Sequence, residues 1–95
     1  MRTLMKVTQT DINKGCRAVN FNCPVARAIR RQYTNCHYCS VYYDATVEIL
    51  VIDPKTANSK METYKLPRSV LRFIKRFDKF GKKAVKPFNF YLEKI

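Results

Sequence analysis

Five stretches of the chain alternate between hydrophobic and polar positions or are rich in β-branched and aromatic residues. This pattern predicts β-strands over residues 4–7, 38–43, 46–52, 61–66 and 88–93. A tight turn at Asp44 and Ala45 is expected between the second and third strands. The third strand carries apolar residues on both faces, which predicts that both faces are covered: Val47, Ile49 and Val51 on one, Leu50 and Ile52 on the other.

Two further stretches repeat their apolar residues with the period of an α-helix. The first has Pro24 in its first turn and Asn22 or Cys23 as its cap. Its buried stripe is Val25, Ala28 and Ile29, with Gln32 at the edge. The second begins at Pro67, ends at Gly81 and buries Val70, Phe73, Ile74 and Phe77. A capping box of Thr8 and Asp11 predicts an extra helical turn, which a left-handed Gly15 would end.

The elements follow the order β-α-β-β-β-α-β. That order predicts an α+β fold, with a mostly antiparallel sheet and both main helices on one of its faces. The 95 residues form one domain, 1–95, and 46% of them are hydrophobic, enough for a folded core. Because no apolar run reaches the roughly 18 residues of a membrane span, and the start does not resemble a signal peptide, a soluble cytoplasmic protein is expected.

Positive charge is the strongest compositional feature. The chain has 19 Lys and Arg against 7 Asp and Glu, a net charge of +12. Between Lys65 and Lys86 there are nine basic residues and a single acid, Asp78. Since a clustered excess attracts anions more strongly than a dispersed one, the charge favours a phosphate-rich or acidic partner.

Two groups of basic residues fall on the predicted helices. One follows a single edge of the second helix and continues beyond it: Arg68, Arg72, Lys75, Arg76 and Lys79, then Lys82, Lys83 and Lys86. The other lies on the first helix: Arg27, Arg30 and Arg31. The guanidinium fork of arginine matches phosphate and carboxylate, so both groups are candidate nucleic-acid or anion-binding residues. The alternative is that they are ordinary solvated helix faces.

Two tyrosines add a second candidate feature. Tyr38 and Tyr42 lie on one face of a predicted strand, with Ser40 between them. Aromatic side chains beside basic residues can stack on the bases of single-stranded nucleic acids. The competing explanation is that tyrosine simply suits a half-exposed sheet.

The four cysteines allow two interpretations. Cys36 and Cys39 have the two-residue gap common in zinc sites and enclose His37, whereas Cys16 and Cys23 are six residues apart. A zinc site formed by all four cysteines is therefore the less favoured alternative. Ordinary reduced cysteines, with no metal or cofactor, are expected.

Parts of both helices and the last strand resemble a group of small, uncharacterised proteins encoded by bacteriophages and prophages. The resemblance rests on DINKG (11–15), NCPVARAIRR (22–31), LP (66–67), FIKRFD (73–78) and VKPFNFYL (85–92). Asn20 departs from the group, which has a Cys-x-x-Cys-Pro there. The resemblance implies a setting, the cytoplasm of a bacterial host, and no activity. Many phage proteins of this size inhibit host or defence machinery without being enzymes.

The sequence therefore predicts a small, basic, non-enzymatic protein that binds a phosphate-rich ligand, most simply nucleic acid. Catalysis has little support, because His37 is the only histidine, the acids are scattered and there is no glycine-rich phosphate loop. The alternative function is that of an anti-defence or host-takeover inhibitor, comparable to an anti-CRISPR protein, that docks on an acidic protein surface.

Overall fold

A computed structural model describes residues 2–95 and confirms the predicted α+β fold and element order. Five strands form an antiparallel sheet in the order β1-β5-β4-β3-β2. The strands are β1 (Arg2–Val7), β2 (Cys36–Val41), β3 (Thr46–Ile52), β4 (Ser59–Lys65) and β5 (Phe88–Lys94). The helices are α1 (Gln9–Lys14), α2 (Pro24–Gln32) and α3 (Arg68–Phe80), and a 3-10 turn (Lys82–Ala84) follows α3.

The two main helices cover one face of the sheet, as predicted. Strand pairing places Met5 opposite Phe90 and Val7 opposite Phe88, and this row belongs to the core. The ring of Phe73 in α3 lies 4.6 Å from that of Phe88. Cys23 at the start of α2 and Ile74 of α3 border the same small cavity beside Val41 of β2. The core therefore lies between this face and the two helices.

The opposite face of the sheet has no helix packed on it, so the prediction that β3 is covered on both faces is wrong. Leu50 and Ile52 of β3 lie on this open face and are only half-buried. Leu4, Met61 and Tyr91 are exposed on the same face. The prediction failed because β3 has apolar residues on both faces, which is also the pattern of a strand covered on both sides. Only Val47 and Ile49, on the helix-covered face, are fully buried.

The start of α1 is held by the predicted capping box. The Asp11 amide donates to Thr8 Oγ1 (3.3 Å), and the Thr8 amide donates to Asp11 Oδ2 (2.9 Å). Arg31 of α2 also donates to Asp11 Oδ2, at 2.7 Å. The cap and this ion pair together fix α1 against α2.

Gly15 ends α1 for a reason other than the predicted one. Its φ of −69° is extended backbone, not the left-handed conformation. A Cβ at this position would lie 2.7 Å from Cδ of Pro24. Glycine is therefore required here because the backbone passes close to the first residue of α2.

A polar cluster on the helix-covered face of the sheet connects the end of α2 to β4 and β5. Glu62 of β4 accepts hydrogen bonds from the Tyr33 hydroxyl (2.7 Å) and from Lys94 Nζ (3.0 Å), and Tyr33 also contacts the Tyr64 hydroxyl. The hydrogen bonds from Tyr33 and Lys94 lower the pKa of Glu62 to about 2. The carboxylate is thus ionised at neutral pH and serves as a structural acceptor.

Candidate functional site

The outer side of α3 carries a continuous row of positive charge. Val70, Ile74 and Phe77 face the core and are buried. The basic residues of the helix lie on the other side and are all exposed; we call them the α3 ridge: Arg68, Arg72, Lys75, Arg76 and Lys79. The structure thus places all five predicted residues on one accessible surface.

The charge of the α3 ridge is not compensated within residues 2–95. The ion pairs in this part of the chain are Arg31–Asp11, Lys60–Glu62 and Lys94–Glu62, none of which involves the ridge. Asp78 is the acid nearest in sequence, but its carboxylate accepts from the Ala18 amide (2.8 Å) and the Tyr43 hydroxyl. Like charges four residues apart weaken a helix by a few tenths of a kcal/mol per pair, so the ridge carries a small stability cost that no ion pair among the described residues offsets.

The residues after α3 extend the ridge. Gly81 ends the helix with a φ of +87°, a conformation that favours glycine. The following turn is tethered to the helix because Arg76 Nε donates to the Ala84 carbonyl at 2.8 Å. Lys82 and Lys83 in this turn are exposed, as is Lys86 beyond it.

Arg17, which the sequence pattern did not single out, adds a guanidinium at the C-terminal end of the ridge. Its Nε donates to the Asp78 carbonyl (2.9 Å) and its Nη2 to the Lys79 carbonyl (2.6 Å). A cation bonded to the last carbonyls of a helix is favoured by the helix dipole. Arg17 therefore joins the α1–α2 loop, residues 15–23, to the end of α3.

Two of the three arginines of α2, Arg30 and Arg31, have structural partners. Arg30 donates to the Phe21 carbonyl (2.6 Å) and to Asn22 Oδ1 (3.3 Å). Arg31 donates to Asp11 and to the Lys6 carbonyl (3.1 Å), although 48% of its side chain stays exposed. Arg27 is half-buried, and its Nε has no hydrogen-bond partner in the described part of the chain. The geometry therefore favours the α3 ridge over α2 as the candidate anion-binding surface.

The predicted tyrosines line a shallow cleft at one edge of the open sheet face. Its volume is about 520 Å3, and its walls are Tyr38, Tyr42 and, from the α1–α2 loop, Phe21. Ser40 and residues 18–20 complete the lining, and we call the whole the aromatic cleft. The ring centroids of Phe21 and Tyr38 are 6.5 Å apart at an angle of 28°. Phe21 is distant in sequence from the strand, so no local pattern marked it as part of this site.

The chain matches no protein-family model, no curated protein and no solved structure. No helix within residues 2–95 combines the length and apolar composition needed to cross a membrane.

The cysteines do not converge on a metal site. Within residues 2–95 no three Cys, His, Asp or Glu side chains are grouped so that they could hold a metal ion. Cys23 and Cys39 are buried, Cys36 is half-buried and Cys16 is exposed. Burial raises the pKa of the Cys23, Cys36 and Cys39 thiols, which keeps them protonated. The zinc alternative suggested by the Cys36–Cys39 spacing is not supported by this arrangement.

Proposed function

We propose that this protein is a non-enzymatic nucleic-acid-binding protein that holds the phosphate backbone on the α3 ridge, with Lys82, Lys83 and Lys86 extending the contact. The observation that carries the proposal is the exposed row of five cations on one side of α3, none of which is paired with an acid among the described residues. Arg68 to Lys79 spans about 16 Å at the rise of an α-helix, which is long enough to contact several consecutive phosphates.

The composition of the ridge fits phosphate. Arginine presents a planar fork of donors that can bond two phosphate oxygens at once, whereas lysine acts as a mobile point charge. Contacts of this kind fix the backbone and carry no sequence information. We therefore expect binding that depends little on sequence and strongly on salt.

Mapping the contact surface tests the proposal. In a 15N-labelled protein titrated at low salt with a single-stranded DNA of random sequence, the largest amide shifts are expected in α3 and residues 81–86. The loop between β3 and β4, residues 53–58, lies at the opposite end of the hairpin from α3 and should change little. Shifts that avoid α3, or no shifts at all, would contradict the proposal.

A second function is favoured by one observation. Phe80 is 61% exposed and lies between Lys79 and Lys82, so the basic surface contains an apolar anchor. Aromatic residues and arginine are enriched at protein–protein interfaces. This surface would suit an inhibitor that docks on an acidic protein, in the bacterial cytoplasm that the sequence resemblance implies. That function predicts no binding to random-sequence nucleic acid at low salt.

A further inference from the structure

We infer that the aromatic cleft binds one unpaired nucleobase, so the ligand of this protein is single-stranded nucleic acid. This inference rests on the proposed function, because it assumes that the α3 ridge holds the phosphates of the same strand. It adds a second site, on the opposite side of the α1–α2 loop from the ridge.

The walls of the cleft provide two accessible ring faces. Phe21 is 52% exposed and Tyr38 is 42% exposed, so both rings are accessible to a ligand. Their centroid separation of 6.5 Å is close to the outer limit, about 7 Å, of direct aromatic contact. A planar base can therefore pack on either ring, or enter between them after a small outward movement of Phe21.

Polar groups belong to the lining of the cleft. Ser40 is buried, and Ser40 and Tyr42 both carry hydroxyl groups. Asn20 lines the rim with an exposed side chain. Hydroxyl and amide groups in the lining of an aromatic cleft can bond the polar edge of a base, which an aliphatic ligand lacks.

The loop that carries Phe21 is fixed in place before any ligand binds. The Val41 amide donates to the Asn20 carbonyl at 2.9 Å, and this bond attaches the loop to the free edge of β2. Arg30 holds the Phe21 carbonyl from the other side at 2.6 Å. A preformed wall of this kind lowers the entropic cost of binding.

The same loop connects the cleft to the α3 ridge. Ala18 lines the cleft, and its amide donates to Asp78 at 2.8 Å. The neighbouring Arg17 is bonded to the Lys79 carbonyl at the end of the ridge. A strand that leaves the ridge at Lys79 thus meets Arg17 next and then the aromatic cleft. Because a paired base is stacked inside a duplex and cannot enter, this path selects single strands.

The experiment compares an oligothymidylate of about twelve nucleotides with an abasic strand that has the same number of phosphates. Wild type is expected to bind the oligothymidylate about 5- to 100-fold more tightly than the abasic strand, since each stacked base contributes that much. Phe21→Ala and Tyr38→Ala should remove this preference and leave the affinity for the abasic strand unchanged. Tyr38→Phe and Phe21→Tyr, which keep the rings, should retain it.

Leu4→Ala is the matched control. Leu4 is 43% exposed on the same open face but lies on β1, at the other edge of the sheet. It should leave both affinities unchanged. If wild type bound both strands equally, or if the alanine variants kept the full preference for the oligothymidylate, the base site would be overturned. The proposal that the α3 ridge holds phosphates would still stand. Failure of both strands to bind at low salt would overturn the proposed function as well.

Discussion

Replacing Arg72 and Lys75 together by glutamine is expected to weaken binding of a random-sequence single strand roughly 10- to 20-fold at about 0.15 M salt. Each phosphate contact to a single strand releases about 0.7 of a counterion, which is worth roughly fourfold in affinity at that salt concentration. The slope of log affinity against log salt should become shallower by about 1.4. Fluorescence anisotropy with a labelled oligonucleotide measures both quantities.

The control for this variant removes the same charge elsewhere. Lys55→Gln with Lys60→Gln lowers the net charge equally, but both residues lie at the end of the β3–β4 hairpin away from α3. The Lys60–Glu62 ion pair that this control removes is 3.5 Å long and its lysine is 71% exposed, so its loss costs little stability. We expect its effect on affinity to be within about threefold, from long-range attraction alone. Arg72 and Lys75 have no described hydrogen bond or ion pair, so their loss should not destabilise the fold. Equal weakening by both pairs would show that net charge, and not the ridge, drives binding.

Asp11→Ala is expected to lower the free energy of unfolding by about 2–4 kcal/mol. The variant loses the hydrogen bond from the Thr8 amide, worth about 0.5–1.5 kcal/mol, and a charge-assisted hydrogen bond from Arg31, worth about 1.5–3 kcal/mol. Thr8 still caps the helix, because its hydroxyl accepts from the backbone amide of residue 11. Asp11 is 2% exposed, so the Thr8 amide loses a buried partner, whereas Arg31 is 48% exposed and can be hydrated. Urea unfolding of both proteins at pH 7 gives the difference.

Two further variants and the pH dependence check this explanation. Asp11→Asn, whose side-chain oxygen can still accept from the Thr8 amide, should lose less than Asp11→Ala. Asn13→Ala on the exposed side of α1 removes only an exposed hydrogen bond from Gln9 and should have little effect. Burial raises the pKa of Asp11, but hydrogen bonds from Arg31 and Thr8 outweigh it and hold the pKa below its ordinary value of 3.8. The stabilisation is therefore complete above pH 4 and is lost as the pH falls through this lowered pKa. If the free energy of unfolding fell with decreasing pH no more steeply in wild type than in Asp11→Ala, this explanation would be contradicted.

Local patterns were sufficient to predict most of the fold. The periodicity of residues 46–52 gave the bounds of β3, and Gly81 gave the end of α3. The capping box of Thr8 and Asp11 gave the start of α1. These features depend on residues within about one helical turn or strand of each other, which is the range over which sequence spacing determines geometry. The exposed side of α3 was predictable for the same reason.

The rest of the site depends on contacts between distant segments. Arg17 bonds to Lys79, 62 positions away, and Phe21 meets Tyr38 only because the α1–α2 loop is attached to the edge of β2. Arg30 and Arg31 had the spacing of a binding surface, but they donate to backbone and carboxylate groups that sequence order does not bring near them. An arginine on a helix face can bind a ligand or anchor a loop, and only the fold distinguishes the two roles.

The salt dependence of binding tests the central claim most directly. Wild-type protein should bind a random-sequence single strand with roughly micromolar affinity at low salt. If four to eight of the ridge and flanking residues contact phosphates, log affinity should fall linearly with log salt, with a slope of about −3 to −6. No binding at low salt, or a slope near zero, would contradict the claim and direct attention to an acidic protein partner.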